Sequence, residues 1–130
     1  MRYCVPIHYI GLSNFIVDAS TPEAAKTVAR ARFNDGVATE IKKHRLPWNV
    51  QRLGARAEYT FCQRPPRNGG ESAAAADFEL ERFLHLYALN RGVLLNPFHN
   101  MALMCPDTTP ADIDQHTKIF AEALNELASV

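Results

Sequence analysis

The feature that most constrains the fold is a polar turn between two short apolar runs, in residues 90–104. The sequence there is NRGVLLNPFHNMALM, with apolar residues at 93–95 and 101–104 and the turn at 96–100. Apolar runs of three or four residues are too short for helices and are typical of buried strands. Helical patterns stand on both sides, so the segment predicts helix, strand, turn, strand and helix, which is an α+β arrangement.

Both flanking helices are predicted from spacing and end signals. The first spans residues 73–90, where apolar side chains recur at near-helical spacing and Gly92 supplies a left-handed stop. The second begins at Thr109-Pro110, with Asp112 in its first turn. Its predicted inward stripe consists of Ile113, Thr117, Phe120, Leu124 and Leu127.

The first half of the chain predicts strands around one long helix. Residues 2–9 and 14–19 show strand patterns, and Pro6 restricts the first to a sheet edge. A capping box at Ser20 then predicts a helix to about His44, although a break at residues 34–36 is an equal alternative. Residues 50–62 alternate as one strand, and residues 63–72 predict a loop because they combine two prolines with two glycines.

These elements predict one α+β domain over residues 1–130. We expect a four- to five-stranded antiparallel or mixed sheet with about three helices mainly on one face. The formal net charge is zero, which argues against nucleic-acid binding. No apolar run is long enough to cross a membrane, so we expect no membrane partner. Three scattered cysteines, Cys4, Cys62 and Cys105, fit a reducing cytoplasmic setting.

Residues from about 33 to 128 resemble a known family. The segments that carry the likeness are FNDGVATEIKKHRLPW, RLGARAEYTF, FLHLYALNRGVLLNPFHNMALM and TTPADIDQHTKIFAEALNEL. Together they are similar to the C-terminal small domain of class III pyridoxal-phosphate-dependent aminotransferases, and most of all to the group that resembles glutamate semialdehyde aminomutase. Residues 1–32 do not match this pattern.

The resemblance implies pyridoxal phosphate chemistry that depends on a lysine in a large domain. The chain offers Lys26, Lys42, Lys43 and Lys118, all on predicted amphipathic helices, and none matches the family's buried lysine. A glycine- and serine-rich phosphate cradle is also missing from the sequence. We therefore expect that the chain alone binds no cofactor and is inactive by itself, and that its partner is a missing large domain or another copy of the chain.

The resemblance places residues 96–100 beside the substrate. It implies that His99 and Asn100 face a substrate carboxylate or the cofactor, with Phe98 beside them. Arg56 is a further candidate because a guanidinium binds a carboxylate with two hydrogen bonds. The alternative for the turn is structural, with Asn96 and Asn100 bonding their own backbone. Arg56 would then form only a surface ion pair with Glu58.

Other sites find less support in the sequence. The histidines and cysteines have no metal-ligand spacing, so we expect no metal site. Glu79 and Glu81 lie two apart on a helix, which predicts separate solvated charges. Two alternatives to an aminotransferase-like small domain stay open. One is a non-catalytic module that self-associates, as a symmetric dimer, through residues 2–9 or an apolar helix face, and the other is a small-ligand binder that uses the polar turn.

Overall fold

The structure is a computed structural model that describes residues 22–54, 56–96, 99–105 and 107–129. These residues form four helices and three strands. The helices are α1 (Pro22–Lys43), α2 (Gly69–Ala74), α3 (Phe78–Leu89) and α4 (Pro110–Leu127). The strands are β1 (Asn49–Leu53), β2 (Arg56–Thr60) and β3 (Met101–Leu103), in the order β1-β2-β3 and antiparallel throughout.

Helix α1 is continuous through residues 34–36, so the alternative with a break is wrong. Its buried side chains lie four residues apart and form one inward stripe, which consists of Ala29, Phe33, Val37 and Ile41. The helix ends where Arg45 takes a left-handed conformation with φ 54°. The Leu46 amide then donates to the Ile41 carbonyl at 3.0 Å, which closes the last turn. The predicted cap at Ser20 lies outside the described residues.

The single strand predicted for residues 50–62 is wrong, because it is a hairpin. Strands β1 and β2 pair with Leu53 opposite Arg56, which leaves a two-residue turn between them. Gly54 has φ 58°, a conformation that a two-residue hairpin turn requires and that glycine adopts without strain. At the far end of the hairpin, the side-chain amide of Asn49 donates to the Thr60 hydroxyl and to the Cys62 carbonyl, each at 2.6 Å.

A strand at residues 93–95 was also predicted and is not formed. Leu95 is buried, but among the described residues the bond that links this region to β3 is a single one, from the neighbouring Asn96 amide to the Met101 carbonyl at 3.2 Å. Pro97 follows and has no amide hydrogen to extend the pairing. The strands predicted at 2–9 and 14–19 fall outside the described residues. The described sheet therefore has three strands, and a count of four or five is not confirmed.

One helix was predicted for residues 73–90, but the structure has two helices, α2 and α3. Helix α2 begins at Gly69, within the segment 63–72 that was predicted to be a loop. Helix α2 starts at Gly69, where the Asn68 side chain accepts a hydrogen bond from the Glu71 amide at 2.9 Å. Helix α3 starts after Asp77, whose carboxylate accepts from the Leu80 amide at 3.0 Å. A new cap at this aspartate explains the division, because a capping side chain favours an extended backbone at its own position.

Helix α4 begins with the predicted capping box. The Asp112 amide donates to the Thr109 hydroxyl at 3.2 Å, and the Thr109 amide donates to the Asp112 carboxylate at 3.0 Å. The helix packs against α1 and α3. Its buried side chains are Ile113, His116, Ile119, Phe120, Ala123 and Leu124. The predicted stripe is thus correct for three of its five residues, whereas Thr117 is half-buried and Leu127 is exposed.

The described helices leave one face of the sheet open. Ala57 and Tyr59 of β2 are buried toward the helices, and the Tyr59 ring lies 5.0 Å from the Phe120 ring of α4. Side chains alternate along a strand, so their neighbours point to the opposite side. The strand register places eight residues there, and we call this surface the open face: Asn49, Gln51, Leu53, Arg56, Glu58, Thr60, Met101 and Leu103.

Candidate functional site

A cleft lies between the N-terminal half of α3 and residues 95–100. Its volume is about 220 Å³. Helix α3 forms one wall, four described residues before β3 (Leu95, Asn96, His99 and Asn100) form the other, and buried Tyr59 of β2 contributes to the lining. The described residues that line it are Tyr59, Phe78, Glu81, Arg82, His85, Leu95, Asn96, His99 and Asn100.

The wall from α3 is one regular helical stripe. Phe78, Glu81, Arg82 and His85 are spaced i, i+3, i+4 and i+7, which places them on the same side of a helix. The opposite side of α3 carries Leu84, Tyr87 and Ala88 into the core. The core-facing side therefore fixes the helix, and the other side is free to carry polar and aromatic groups into the cleft.

The two predicted turn residues His99 and Asn100 both line the cleft. Asn100 is only 8% exposed, and its carbonyl accepts a hydrogen bond from the Tyr59 amide at 3.1 Å. This bond anchors the turn to β2. The His99 side chain is 59% exposed, and its Nδ1 lies 3.8 Å from an oxygen of Glu58. The turn thus presents one buried amide and one accessible imidazole to the same space.

The other two predicted site residues, Arg56 and Phe98, are not among the described residues that line the cleft. Arg56 lies on the open face, where its Nη2 is 4.0 Å from Glu58. Glu58 therefore lies near both Arg56 of the open face and His99 of the cleft. Phe98 lies outside the described residues.

The carboxylates of Glu79 and Glu81 on α3 differ in surroundings. Glu79 forms an ion pair with Arg82 and is exposed. Glu81 lines the cleft, and burial raises the pKa of its carboxyl group. The carboxylates of Asp77 and Glu58 raise this pKa further, while His99 lowers it. Burial therefore disfavours the charged form of the carboxyl group that Glu81 contributes to the described lining.

Most of the residues that line the cleft were not predicted from the sequence. The signal was present at Phe78, Glu81, Arg82 and His85, which form a polar and aromatic stripe on an otherwise amphipathic helix. The spacing of apolar residues does not reveal such a stripe, because most of its members are polar. No local pattern in the sequence indicates that Tyr59 reaches a cleft.

Arg91 and Arg52 are not among the described residues that line the cleft. Arg91 stacks over the Tyr87 ring at 3.5 Å and donates to the Tyr87 carbonyl at 3.2 Å, so packing at the end of α3 accounts for it. Arg52 is exposed on β1. Within the described ranges, no three metal-ligating side chains converge, and none of the helices is long and apolar enough to cross a membrane.

The cleft does not fit pyridoxal phosphate. None of the described lining residues is a lysine. Lys42, Lys43 and Lys118 are all exposed on helix surfaces, and Lys43 and Lys118 lie near Glu40 and Glu122 at 3.0 and 4.0 Å. The carboxylate of Glu81 would also repel a phosphate group.

Comparison with solved structures identifies close relatives of part of the chain. A glutamate-1-semialdehyde aminomutase from Pseudomonas aeruginosa PAO1 is 48% identical, with a TM-score of 0.78. The match covers 79% of this chain and 23% of that one. A lysine-to-alanine variant described by the same name, in complex with PMP, matches at 48% identity and a TM-score of 0.77, over 78% of this chain and 22% of its own.

More distant structures share the fold alone. A β-phenylalanine aminotransferase from Variovorax paradoxus is 23% identical with a TM-score of 0.63, over 83% of this chain and 24% of its own. No protein-family model matches the chain, and no curated protein matches it significantly. The chain spans about a quarter of the length of the structures it matches. The predicted resemblance to class III aminotransferases is confirmed, because the chain is similar to glutamate-1-semialdehyde aminomutase over part of that enzyme's length.

Proposed function

We propose that the chain acts as the small domain of a pyridoxal-phosphate-dependent aminotransferase and forms one wall of a substrate site. The observation that carries this proposal is the 48% identity to glutamate-1-semialdehyde aminomutase over 79% of the chain. That identity extends over only 23% of the enzyme. The cofactor-binding lysine would come from a large domain, and His99 and Asn100 would face the substrate.

The first experiment asks whether the chain binds the cofactor alone. Purified chain is mixed with pyridoxal phosphate, reduced with borohydride and analysed by peptide mass spectrometry, with the Pseudomonas enzyme as the positive control. We expect scattered, substoichiometric labelling of exposed lysines such as Lys42 and Lys118. Stoichiometric labelling of one lysine would show that the chain carries its own cofactor site and would refute this part of the proposal.

The second experiment tests the role as a small domain. Residues 33–128 replace the matching segment of the Pseudomonas enzyme, and an enzyme without that segment is the control. The chimera should fold, hold the cofactor with the absorbance of the parent enzyme and convert substrate, because about half of the residues are already shared. A folded chimera that loses the cofactor would contradict the proposed role.

A second candidate function, self-association, is favoured by the open face. Leu53 and Leu103 flank Arg56 there and are 71% and 64% exposed. Large exposed apolar groups in one row are typical of surfaces that are covered by another protein. A non-catalytic module that pairs two copies through this face would explain them. The strand at 2–9, through which pairing was predicted, lies outside the described residues.

A further inference from the structure

The segment between β2 and α3 contains the only Asn-Gly pair of the sequence, Asn68–Gly69. Both residues are exposed, and no residue of the segment 63–77 is buried. Helix α2, which lies within this segment, packs against no other described helix or strand. The pair is therefore open to water, in a part of the chain that contributes no side chain to the described core.

Short-range contacts hold helix α2 together. The Asn68 side-chain oxygen accepts from the Glu71 amide at 2.9 Å, and the Ser72 amide donates to the Asn68 carbonyl at 3.1 Å. Arg67 pairs with the Glu71 carboxylate at 2.7 Å. All of these contacts join near neighbours in sequence, and a helix this short is marginal in water without packing. Helix α2 can therefore open while the core of the domain stays folded.

The backbone nitrogen of Gly69 is accessible to the side chain before it. Gly69 is the first residue of α2, and the first amides of a helix have no carbonyl partner inside that helix. A methyl group added at Gly69 would meet no atom within 4 Å, so the position is surrounded by open space. The carboxamide carbon of Asn68 is separated from this nitrogen by the number of bonds that closes a cyclic imide.

We propose that Asn68 is a site of spontaneous deamidation, with water as the co-reactant. The Gly69 amide gives up its proton to the solvent, and its nitrogen attacks the side-chain carbonyl carbon of Asn68. A new C–N bond forms, the carboxamide C–N bond breaks, and ammonia leaves with a proton from the solvent. Water then opens the cyclic imide at either carbonyl, which gives aspartate or isoaspartate at position 68 without any oxidation or reduction.

The pair Asp35–Gly36 could form the same cyclic imide in a flexible chain, but the structure blocks the reaction there. Its nitrogen lies in the interior of helix α1, where amides donate to carbonyls of the same helix. Gly36 also lies against Thr117 of α4, and the neighbouring Phe33 is buried in the core. A reactive backbone at this pair would require the core to open. The fold therefore selects the pair at Asn68.

The two products have different effects on helix α2. Aspartate keeps a capping oxygen and adds negative charge at the start of the helix, which favours the helix. Isoaspartate lengthens the main chain by a CH₂ group and displaces the cap, so the Glu71 amide loses its acceptor. Because the segment 63–77 has no buried residue, we expect isoaspartate to open α2 and to leave the unfolding midpoint of the domain unchanged.

Incubation of the purified chain in mildly alkaline buffer, followed by tryptic digestion and mass spectrometry, tests the proposal. Trypsin cleaves after Arg67 and Arg82, so the peptide 68–82 carries Asn68 as its single asparagine. A digest at time zero corrects for deamidation during handling. We expect Asn68 to deamidate faster than the other described asparagines, at a rate that rises with pH and lies within about tenfold of that in the free peptide 63–77. Stronger protection in the folded chain, or faster loss at another described asparagine, would overturn the proposal.

Gly69→Ala is the matched variant, because its methyl group hinders the attacking nitrogen and still fits the open space around the position. It should slow deamidation of Asn68 by about tenfold or more, since glycine is the residue that leaves its backbone least shielded. Circular dichroism and the urea midpoint should match those of the parent chain. A smaller effect on the rate would show that the Gly69 nitrogen is not the attacking group and would overturn the proposal.

Discussion

His116 is a titratable residue inside the core. Its ring lies 4.4 Å from the Phe33 ring, it is 4% exposed, and its Nδ1 has no hydrogen-bond partner among the described residues. Burial lowers its pKa from 6.5 to about 4. A buried imidazole without an acceptor is held in its neutral form, since the charged form would lose its hydration without compensation.

This arrangement predicts a loss of stability in mild acid. Between pH 6.5 and 4, the unfolded chain takes up a proton at His116 that the folded chain does not. The free energy of unfolding therefore falls as the pH falls through this range, by at most about 3 kcal/mol. Urea unfolding at several pH values should show a smaller decrease in His116→Leu, whereas His99→Gln, a change at an exposed histidine, should behave like the parent chain. A parallel pH profile in His116→Leu would contradict this origin.

Gly36 is required by the approach of two helices. A methyl group added there would lie 2.5 Å from the Thr117 hydroxyl oxygen of α4. Glycine inside a helix normally costs about 1 kcal/mol relative to alanine, so Gly36→Ala would be stabilising on an isolated helix. The close contact reverses the sign, because overpacking typically costs about 1–3 kcal/mol.

We therefore predict that Gly36→Ala lowers the free energy of unfolding by about 1–2 kcal/mol. Thr117→Ala removes the two nearest atoms and should rescue much of this loss in the double variant. Gly69→Ala is the control, because an added methyl group at that position meets no atom within 4 Å. Additive losses in the double variant would show that the contact with Thr117 is not the cause.

At the scale of elements, the end of α1 depends on a non-glycine residue in a left-handed conformation. Arg45 has φ 54°, at the position where helices usually carry glycine. We predict that Arg45→Gly raises the free energy of unfolding by roughly 1 kcal/mol, because the steric cost of a side chain in this region is removed. Arg64→Gly, in the irregular segment after β2, should give no gain. Denaturant midpoints measure both, and no increase in Arg45→Gly would refute the prediction.

The elements that local sequence predicts well are those with their own end signals. Thr109, Pro110 and Asp112 predict the start of α4, and Gly92, with φ 83°, predicts the end of α3. The elements that were not predicted, the β1–β2 hairpin and the start of α3, depend on short sequence signals that are weak when taken alone. Gly54 followed by an alanine does not indicate a hairpin, although its conformation in the structure explains one. Asp77 was overlooked as a cap because the apolar spacing around it continues without interruption.

The sequence predicted only those residues of the candidate site that belong to the polar turn, His99 and Asn100. His99 and Asn100 stand out because proline and asparagine surround them. Glu81 and Tyr59 are brought to the same cleft by the packing of α3 against the rest of the domain. That packing joins residues far apart in sequence, and no local pattern specifies it. The resemblance to aminotransferases predicted the likeness to that family, but it did not indicate the residues of α3 that line the cleft.

At the scale of the whole molecule, the open face determines how the isolated chain behaves in solution. We predict that the chain self-associates, and that Leu53→Ser combined with Leu103→Ser shifts it toward monomer without loss of stability, because both side chains are exposed. Light scattering after size exclusion measures the mass, and urea unfolding measures the stability. Leu127→Ser, at the exposed end of α4, is the control. Unchanged association in the double variant would exclude the open face as the contact surface.

The two sides of helix α3 have different consequences for how this domain can change during evolution. Leu84, Tyr87 and Ala88 face the core, and substitutions there affect folding. Phe78, Glu81 and His85 face the cleft, so selection can exchange them while folding is preserved. A lineage built on this helix can therefore acquire new ligand preferences through single substitutions, without first accumulating extra stability.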